Sequence, residues 1–150
     1  MGTSGAGSWI RSYADAWNSH DVTALLGFMT EDVVYADVTL GERKAGANEV
    51  RGFLADLEAS FSSDYRFELG DVATTGDDSY AFEWTMSGTN DRADAERGLP
   101  ATGRSFRLRG VSIGRLRNGK IAENRDYWNM ADYLMQVGLM PAPEAAAPVA

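Results

Sequence analysis

The sequence predicts an α+β fold in which helices pack on one side of a curved antiparallel sheet. Helical periodicity is concentrated before about residue 60, and strand-like segments follow one another from about residue 65 to residue 128. The strongest local signal is Asn118-Gly119, because a two-residue type I′ turn needs positive φ at both central positions. A strongly bent sheet of this kind, covered by helices, would form a cone with one open mouth.

The helices follow from the spacing of apolar residues. Ile10, Tyr13, Ala14 and Trp17 recur at i, i+3, i+4 and i+7, which predicts a first helix over residues 8–19.

Three more helices are expected. Asp21 is a good N-cap for a short second helix. A third helix is predicted over residues 48–60, and Asn129 is expected to cap a last short helix that ends at Gly138.

Strand-like composition marks the remaining elements. The predicted strands cover residues 33–38, 65–74, 79–89, 104–117 and 120–128. Residues 8–139 are therefore expected to form one domain. The Gly/Ser-rich segment 1–7 and the Pro/Ala-rich segment 140–150 are expected to be mobile tails.

Composition narrows the range of functions. A net charge of −8 and a pI near 4.6 disfavour nucleic acid and anionic membranes as partners. The chain has no cysteine and one histidine, His20, so neither a disulfide framework nor a zinc site is expected. Without a signal peptide or an apolar stretch of transmembrane length, we expect a soluble, cytoplasmic protein with no metal and no cofactor.

The hairpin around Asn118-Gly119 holds the main candidate for chemistry. If Arg117 faces Lys120, unbroken pairing places Asp126 opposite Val111. Alternation then predicts one shared face for Arg109, Val111, Ile113, Asn124, Asp126 and Trp128. A carboxylate on such a face is costly to desolvate unless it is paired or used, and its pKa tends to rise.

Several segments resemble a known family. They are WNSHD at 17–21, TEDVVYAD at 30–37, EWTMSGT at 83–89, GLPATGR at 98–104, RDYW at 125–128 and YLMQVGL at 133–139. With the order of elements, they resemble the nuclear-transport-factor-2-like superfamily, and within it the SnoaL-like polyketide cyclases. The resemblance implies a cone-shaped curved sheet wrapped by three to four helices, a hydrophobic small-molecule substrate and a homodimer.

The resemblance also suggests site residues. Ketosteroid isomerases of this superfamily place a phenol and an aspartate base where this chain has Tyr13 and Asp37, but their third group falls on Val111, which cannot donate a hydrogen bond. Limonene-type epoxide hydrolases place a base at Asp126, but their arginine and second aspartate fall on Trp84 and Met86.

SnoaL-like cyclases also place an acid/base aspartate at Asp126, often helped by a pocket histidine. Here His20 belongs to the predicted turn between helices. Of the three enzyme patterns, the cyclase pattern is therefore the one from which this chain departs least.

These considerations give one main hypothesis and three alternatives. The main hypothesis is a cofactor-independent acid/base enzyme acting on a polycyclic or polyketide-type molecule by cyclisation, aldol chemistry or rearrangement, with Asp126 and Asp37 as catalytic residues. The predicted substrate-binding residues are Tyr13, Trp17, Trp84, Met86, Arg109, Val111, Asn124 and Trp128. The alternatives are an isomerase, an epoxide hydrolase and a binding protein without turnover, and Asp126 could instead form a structural ion pair with Arg109.

Overall fold

A computed structural model describes residues 6–143, which fold into four helices and six strands. The helices are α1 (Ala6–Asn18), α2 (Val22–Leu26), α3 (Ala47–Ala59) and α4 (Met130–Gln136). The strands are β1 (Met29–Asp37), β2 (Glu42–Ala45), β3 (Arg66–Thr75), β4 (Ser79–Thr89), β5 (Ser105–Arg117) and β6 (Lys120–Trp128). The predicted α+β class is confirmed. Most of the predicted tails, 1–7 and 140–150, lies outside the described residues.

The six strands form one mixed sheet in the order β2-β1-β6-β5-β4-β3. Four neighbouring pairs are antiparallel, whereas β1 and β6 run parallel. The expectation of a purely antiparallel sheet is therefore wrong at this one pair. The short strand β2 was not predicted, because Glu42–Ala45 is too short and too charged to show a strand pattern. The parallel pairing brings the carboxyl ends of β1 and β6 together.

The predicted helix caps are confirmed. The Asp21 carboxylate accepts hydrogen bonds from the backbone N–H groups of Thr23 and Ala24 at the start of α2. The Asn129 side chain accepts one from Asp132 at the start of α4. These caps fix where each short helix leaves the neighbouring strand or turn.

The predicted hairpin turn is confirmed, but the strand register predicted beyond it is wrong. Asn118 and Gly119 have φ of 53° and 76°, as a type I′ turn requires, and Arg117 faces Lys120. Between Leu116 and Arg115 the register shifts, because Ala122 is an extra residue on β6. Asp126 consequently lies opposite Ser112 rather than Val111.

The main core lies between α1, α2, α3 and one face of the sheet. Its most buried side chains include Ile10, Leu25, Val33, Leu54 and Ile121. A second cluster packs α4 against β5 through Phe106, Leu108, Tyr133 and Val137. Within residues 6–143, no helix combines the length and apolar composition needed to span a membrane.

Candidate functional site

A deep cavity opens between the helices and the inner face of the sheet. About 860 Å³ of space free of protein atoms lies in the cavity and in the open solvent at its mouth. Nine aromatic side chains line it: Tyr13, Trp17, Tyr35, Phe61, Tyr65, Phe67, Phe82, Trp84 and Trp128. A predominantly aromatic lining suits a hydrophobic small molecule with rings.

Edge-to-face contacts hold the aromatic side chains in place. Trp17 of α1 packs on Phe67 of β3 at 5.3 Å between ring centroids, and Phe67 packs on Trp84 of β4 at the same distance. Gly110 provides the space for Trp84, because a Cβ atom there would lie 2.2 Å from the indole ring. The cavity wall is thus set by packing across three elements.

Asp126 is the most elaborately hydrogen-bonded carboxylate in this cavity wall. Its Oδ1 accepts hydrogen bonds from Ser112 Oγ at 2.6 Å and Asn124 Nδ2 at 2.8 Å, and its Oδ2 accepts one from the Tyr35 hydroxyl. An ionised carboxylate offers about four acceptor positions. Three are occupied, so the free position is on Oδ2.

Further donors fix the orientation of these partners. Trp84 Nε1 donates to Ser112 Oγ at 2.9 Å, which directs the serine hydrogen towards Asp126. The Tyr80 hydroxyl donates to Asn124 Oδ1 at 2.7 Å, which directs the amide Nδ2 the same way. Burial raises the pKa of Asp126, and the bonds from Ser112, Tyr35 and Asn124 act in the opposite direction.

Asp37 lies beside Asp126 in the parallel pair of β1 and β6. Its carboxylate accepts hydrogen bonds from the Leu40 backbone N–H at 3.0 Å and from Trp128 Nε1 at 3.2 Å. Burial raises the pKa of Asp37 to about 6, and the charge of Asp126 contributes to the rise. Both predicted catalytic carboxylates therefore line one cavity, next to each other on neighbouring strands.

Tyr13 contributes a phenol on the helical side of the cavity wall. The residue is 3% exposed, and its hydroxyl has no hydrogen-bond partner among the described residues. Burial, followed by the charge of Asp126, raises the pKa of this hydroxyl. It consequently remains protonated at neutral pH and is available as a donor.

The other predicted substrate-binding residues separate into two groups. Trp17, Trp84, Met86 and Trp128 line the cavity. Asn124 is buried behind Asp126 and reaches the cavity only through that carboxylate.

Arg109 and Val111 were placed on the wrong face. The buried residues of β5 are Phe106, Leu108, Gly110, Ser112 and Gly114, so the odd-numbered residues point to the other side of the sheet. The bulge at Ala122 moves Asp126 into line with the even-numbered set. An ion pair between Arg109 and Asp126 is thereby ruled out. The alternation of arginines at 107, 109, 115 and 117 was the sequence signal for the outer face.

A second acidic group at the cavity was missed entirely. Glu58 of α3 lines the cavity, and its Oε1 lies 2.9 Å from Nδ1 of His20. The other ring nitrogen, Nε2, lies 3.0 Å from the backbone carbonyl of Tyr65, which only accepts, so Nε2 carries the hydrogen. The Tyr65 hydroxyl donates to Glu58 Oε2. The sole histidine therefore supports a cavity residue from behind, although it does not line the cavity.

The donor set of the cavity does not match a metal centre. Among residues 6–143, no group of three or more His, Cys, Asp or Glu side chains is arranged to hold a metal ion. The carboxyl and hydroxyl groups of these side chains can transfer protons and form hydrogen bonds.

Known proteins resemble this chain in both sequence and structure. A candidate polyketide cyclase from Pseudomonas putida shares 29% identity over 88% of this chain and 97% of its own, with a TM-score of 0.73. A second, from a Silicibacter species, shares 29% identity over 89% of this chain and 95% of its own, with a TM-score of 0.72. IdmH of Streptomyces antibioticus, also a candidate polyketide cyclase, shares 25% identity over 88% of this chain and 97% of its own, with a TM-score of 0.74.

The amino-acid sequence shows which family the chain belongs to. The profile of the SnoaL-like domain matches residues 10–124, which is most of the chain and includes Tyr13, Asp37 and the residues of α3 and β4 that line the cavity. Together with the six-stranded mixed sheet and four helices within residues 6–143, this match shows that the chain belongs to the family of SnoaL-like domains.

Proposed function

We propose that this protein is a cofactor-independent acid/base enzyme that acts on a hydrophobic polycyclic or polyketide-type carbonyl compound, with Asp126 as the general base. One observation carries the proposal. A carboxylate on the floor of an aromatic cavity is held by three oriented donors and keeps one free acceptor position.

The first step is enolisation. Asp126 Oδ2 takes a proton from the carbon next to a substrate carbonyl. The electron pair of that C–H bond forms the C=C bond of the enolate, and the π pair of the carbonyl moves to its oxygen. The Tyr13 hydroxyl, which has no partner among the described residues, donates a hydrogen bond to the developing enolate oxygen.

The second step forms a carbon–carbon bond. The enolate carbon attacks a second carbonyl of the same molecule, and the resulting alkoxide takes a proton from the Asp126 carboxylic acid. Asp126 returns to its starting state, so no cofactor is consumed. Asp37, with a pKa of about 6, is neutral in part of the population near neutral pH and is then a second donor beside the base.

An isomerase arrangement is the second candidate, and the position of Asp37 favours it. Asp37 and Tyr13 line the same cavity, as the pairing of base and phenol in ketosteroid isomerases requires. In that case Asp37 would be the base and Asp126 its neighbour. The epoxide-hydrolase alternative is weaker, because Trp84 and Met86 line the cavity at the two positions that would need charged groups.

The test is a conversion assay with a panel of polycyclic ketones, polyketide intermediates and epoxides, followed by mass spectrometry and co-crystallisation of any ligand that binds. We expect a ketone to be converted by the native protein and by Asp71→Asn, a matched change at an exposed position of β3. We expect no comparable conversion by Asp126→Asn. Conversion of a ketone by Asp126→Asn at the native rate would refute the proposal.

The homodimer implied by the resemblance is also part of this proposal. The outer face of β5 and β6 presents Arg107, Arg109, Arg115 and Tyr127 to solvent. Sedimentation at several protein concentrations would test it, and a monomer throughout would contradict it.

A further inference from the structure

We propose that the cavity selects an organic cation: a substrate whose ring-containing body bears a protonated or quaternary amine. This inference deepens the proposed function and rests on it in one respect, namely that the cavity is where the substrate binds. The argument uses the charges, the aromatic lining and one unpartnered polar group of the cavity.

The charges at the cavity are one-sided. Among the described residues that line it, three carry carboxyl groups, Asp37, Glu58 and Asp126, and none is a lysine or arginine. Glu58 Oε1 lies 2.9 Å from Nδ1 of His20 and thus already has a bound partner. The pair Asp37 and Asp126 accepts hydrogen bonds from neutral donors, the N–H groups of Leu40 and Trp128 and the side chains of Tyr35, Ser112 and Asn124.

Among residues 6–143, neither Asp37 nor Asp126 forms an ion pair with a positive group. Buried carboxylates are ordinarily paired with a positive group, and two of them on adjacent strands repel each other when both are ionised. The positive charge of Arg97 lowers the pKa of Asp37. However, its guanidinium is already bound to Asp94 and Glu42. A cation on the substrate would provide the positive charge that the described residues do not place beside these carboxylates.

The lining suits the same ligand. Aromatic rings attract cations through the negative face of the π system, and groups of such rings are a recurring way to bind quaternary and protonated amines. Nine aromatic side chains line the same cavity as the carboxylates.

Tyr13 provides an independent indication that the cavity accepts a polar ligand group. Its hydroxyl is buried at the cavity wall without a partner among residues 6–143, although buried hydroxyls normally have one. The oxygen can accept a hydrogen bond from an ammonium N–H, and the hydrogen can be donated to a carbonyl of the same ligand.

The test measures the affinity of the native chain for three probes of similar size by isothermal titration calorimetry at neutral pH. The probes are N,N-dimethylbenzylamine, which is protonated, its neutral isostere isobutylbenzene, and the anion phenylacetate. We expect the amine to bind at least about tenfold more tightly than either of the others, a difference of about 1.4 kcal/mol. Asp37→Asn and Asp126→Asn should each reduce this preference, whereas Asp71→Asn should leave it unchanged.

Two results would overturn the inference. One is a neutral or anionic probe that binds as tightly as the amine. The other is an amine that fails to bind at millimolar concentration to native protein whose thermal melting shows it to be folded. The outcome is separable from the proposed function, because the preference for charge is measured without turnover. A neutral ketone converted through Asp126 would retain that function even if the amine showed no advantage.

Discussion

The cavity contains two acidic clusters that differ in their surroundings. Asp37 and Asp126 lie side by side on the sheet and are held by neutral donors, and burial raises the pKa of both. Glu58, on α3, instead contacts an imidazole and a phenol that join it to the turn after α1 and to the start of β3. A carboxylate without a counter-ion is poised for proton transfer, whereas one bound to His20 and Tyr65 fixes the position of a helix. The difference predicts chemistry at the first cluster and support at the second.

Asp126→Asn should separate the two clusters most strongly. The amide keeps the shape of the side chain but cannot take a proton, so turnover should fall by roughly a hundred- to ten-thousandfold. Glu58→Gln should lower turnover by less than about tenfold, because Glu58 is not assigned a proton-transfer step. Initial rates on the ketone identified by the panel measure both. Equal losses of turnover in the two variants would contradict the assignment of chemistry to the first cluster and support to the second.

Tyr13→Phe tests the donor that faces the first cluster. Loss of one hydrogen bond to a developing oxyanion should lower turnover by about a hundredfold. The same change removes a buried hydroxyl without a partner among residues 6–143, so the free energy of unfolding should stay level or rise by up to about 1 kcal/mol. Rate and urea denaturation are measured on the same preparation. A less stable variant would indicate that the hydroxyl has a structural partner.

Asp37→Asn should stabilise the protein at neutral pH. The pKa of Asp37 in the folded chain is about 6, above the ordinary value of 3.8, so the folded state holds this proton through a range where the unfolded chain has lost it. The free energy of unfolding therefore falls as pH rises from about 4 to about 6, and the amide removes this loss. We expect a gain of about 3 kcal/mol above the window and little change below it.

Urea denaturation between about pH 4 and pH 7.5 checks this expectation, with Asp71→Asn as the control. The slope should be reduced rather than abolished, because the raised pKa of Asp126 contributes in the same direction. Destabilisation by Asp37→Asn at neutral pH would show that the carboxylate is needed for its bonds to Leu40 and Trp128.

Glu58→Gln should have the smallest effect, and it should be on stability. The amide weakens the contacts with His20 and Tyr65, and the side chains of Glu58 and His20 are 19% and 27% exposed, so we expect a loss of about 1 kcal/mol. Thermal or urea unfolding measures it. An unchanged stability would remove the supporting role that distinguishes the second cluster from the first.

Much of the molecule could be predicted from local sequence, because the interactions involved are local. The periodicity of α1, the caps Asp21 and Asn129 and the turn at Asn118-Gly119 depend on residues a few positions apart. Of the nine aromatic residues that line the cavity, four were predicted to bind the substrate: Tyr13, Trp17, Trp84 and Trp128. Tyr35, Phe61, Tyr65 and Phe67 were not.

The tertiary structure decided which of these residues face one another. Strand β6 pairs with β5 on one side and with β1 on the other, and the extra residue Ala122 lets Ile121 and Asn124, an odd number of positions apart, both point inwards. That bulge brought Ser112 to Asp126 and left Arg109 and Val111 outside. The pairs Asp37–Asp126 and His20–Glu58 join residues 89 and 38 positions apart. Strand alternation and helix periodicity are fixed by neighbours along the chain, but a register shift and a contact between distant segments depend on packing against elements that the local sequence does not contain.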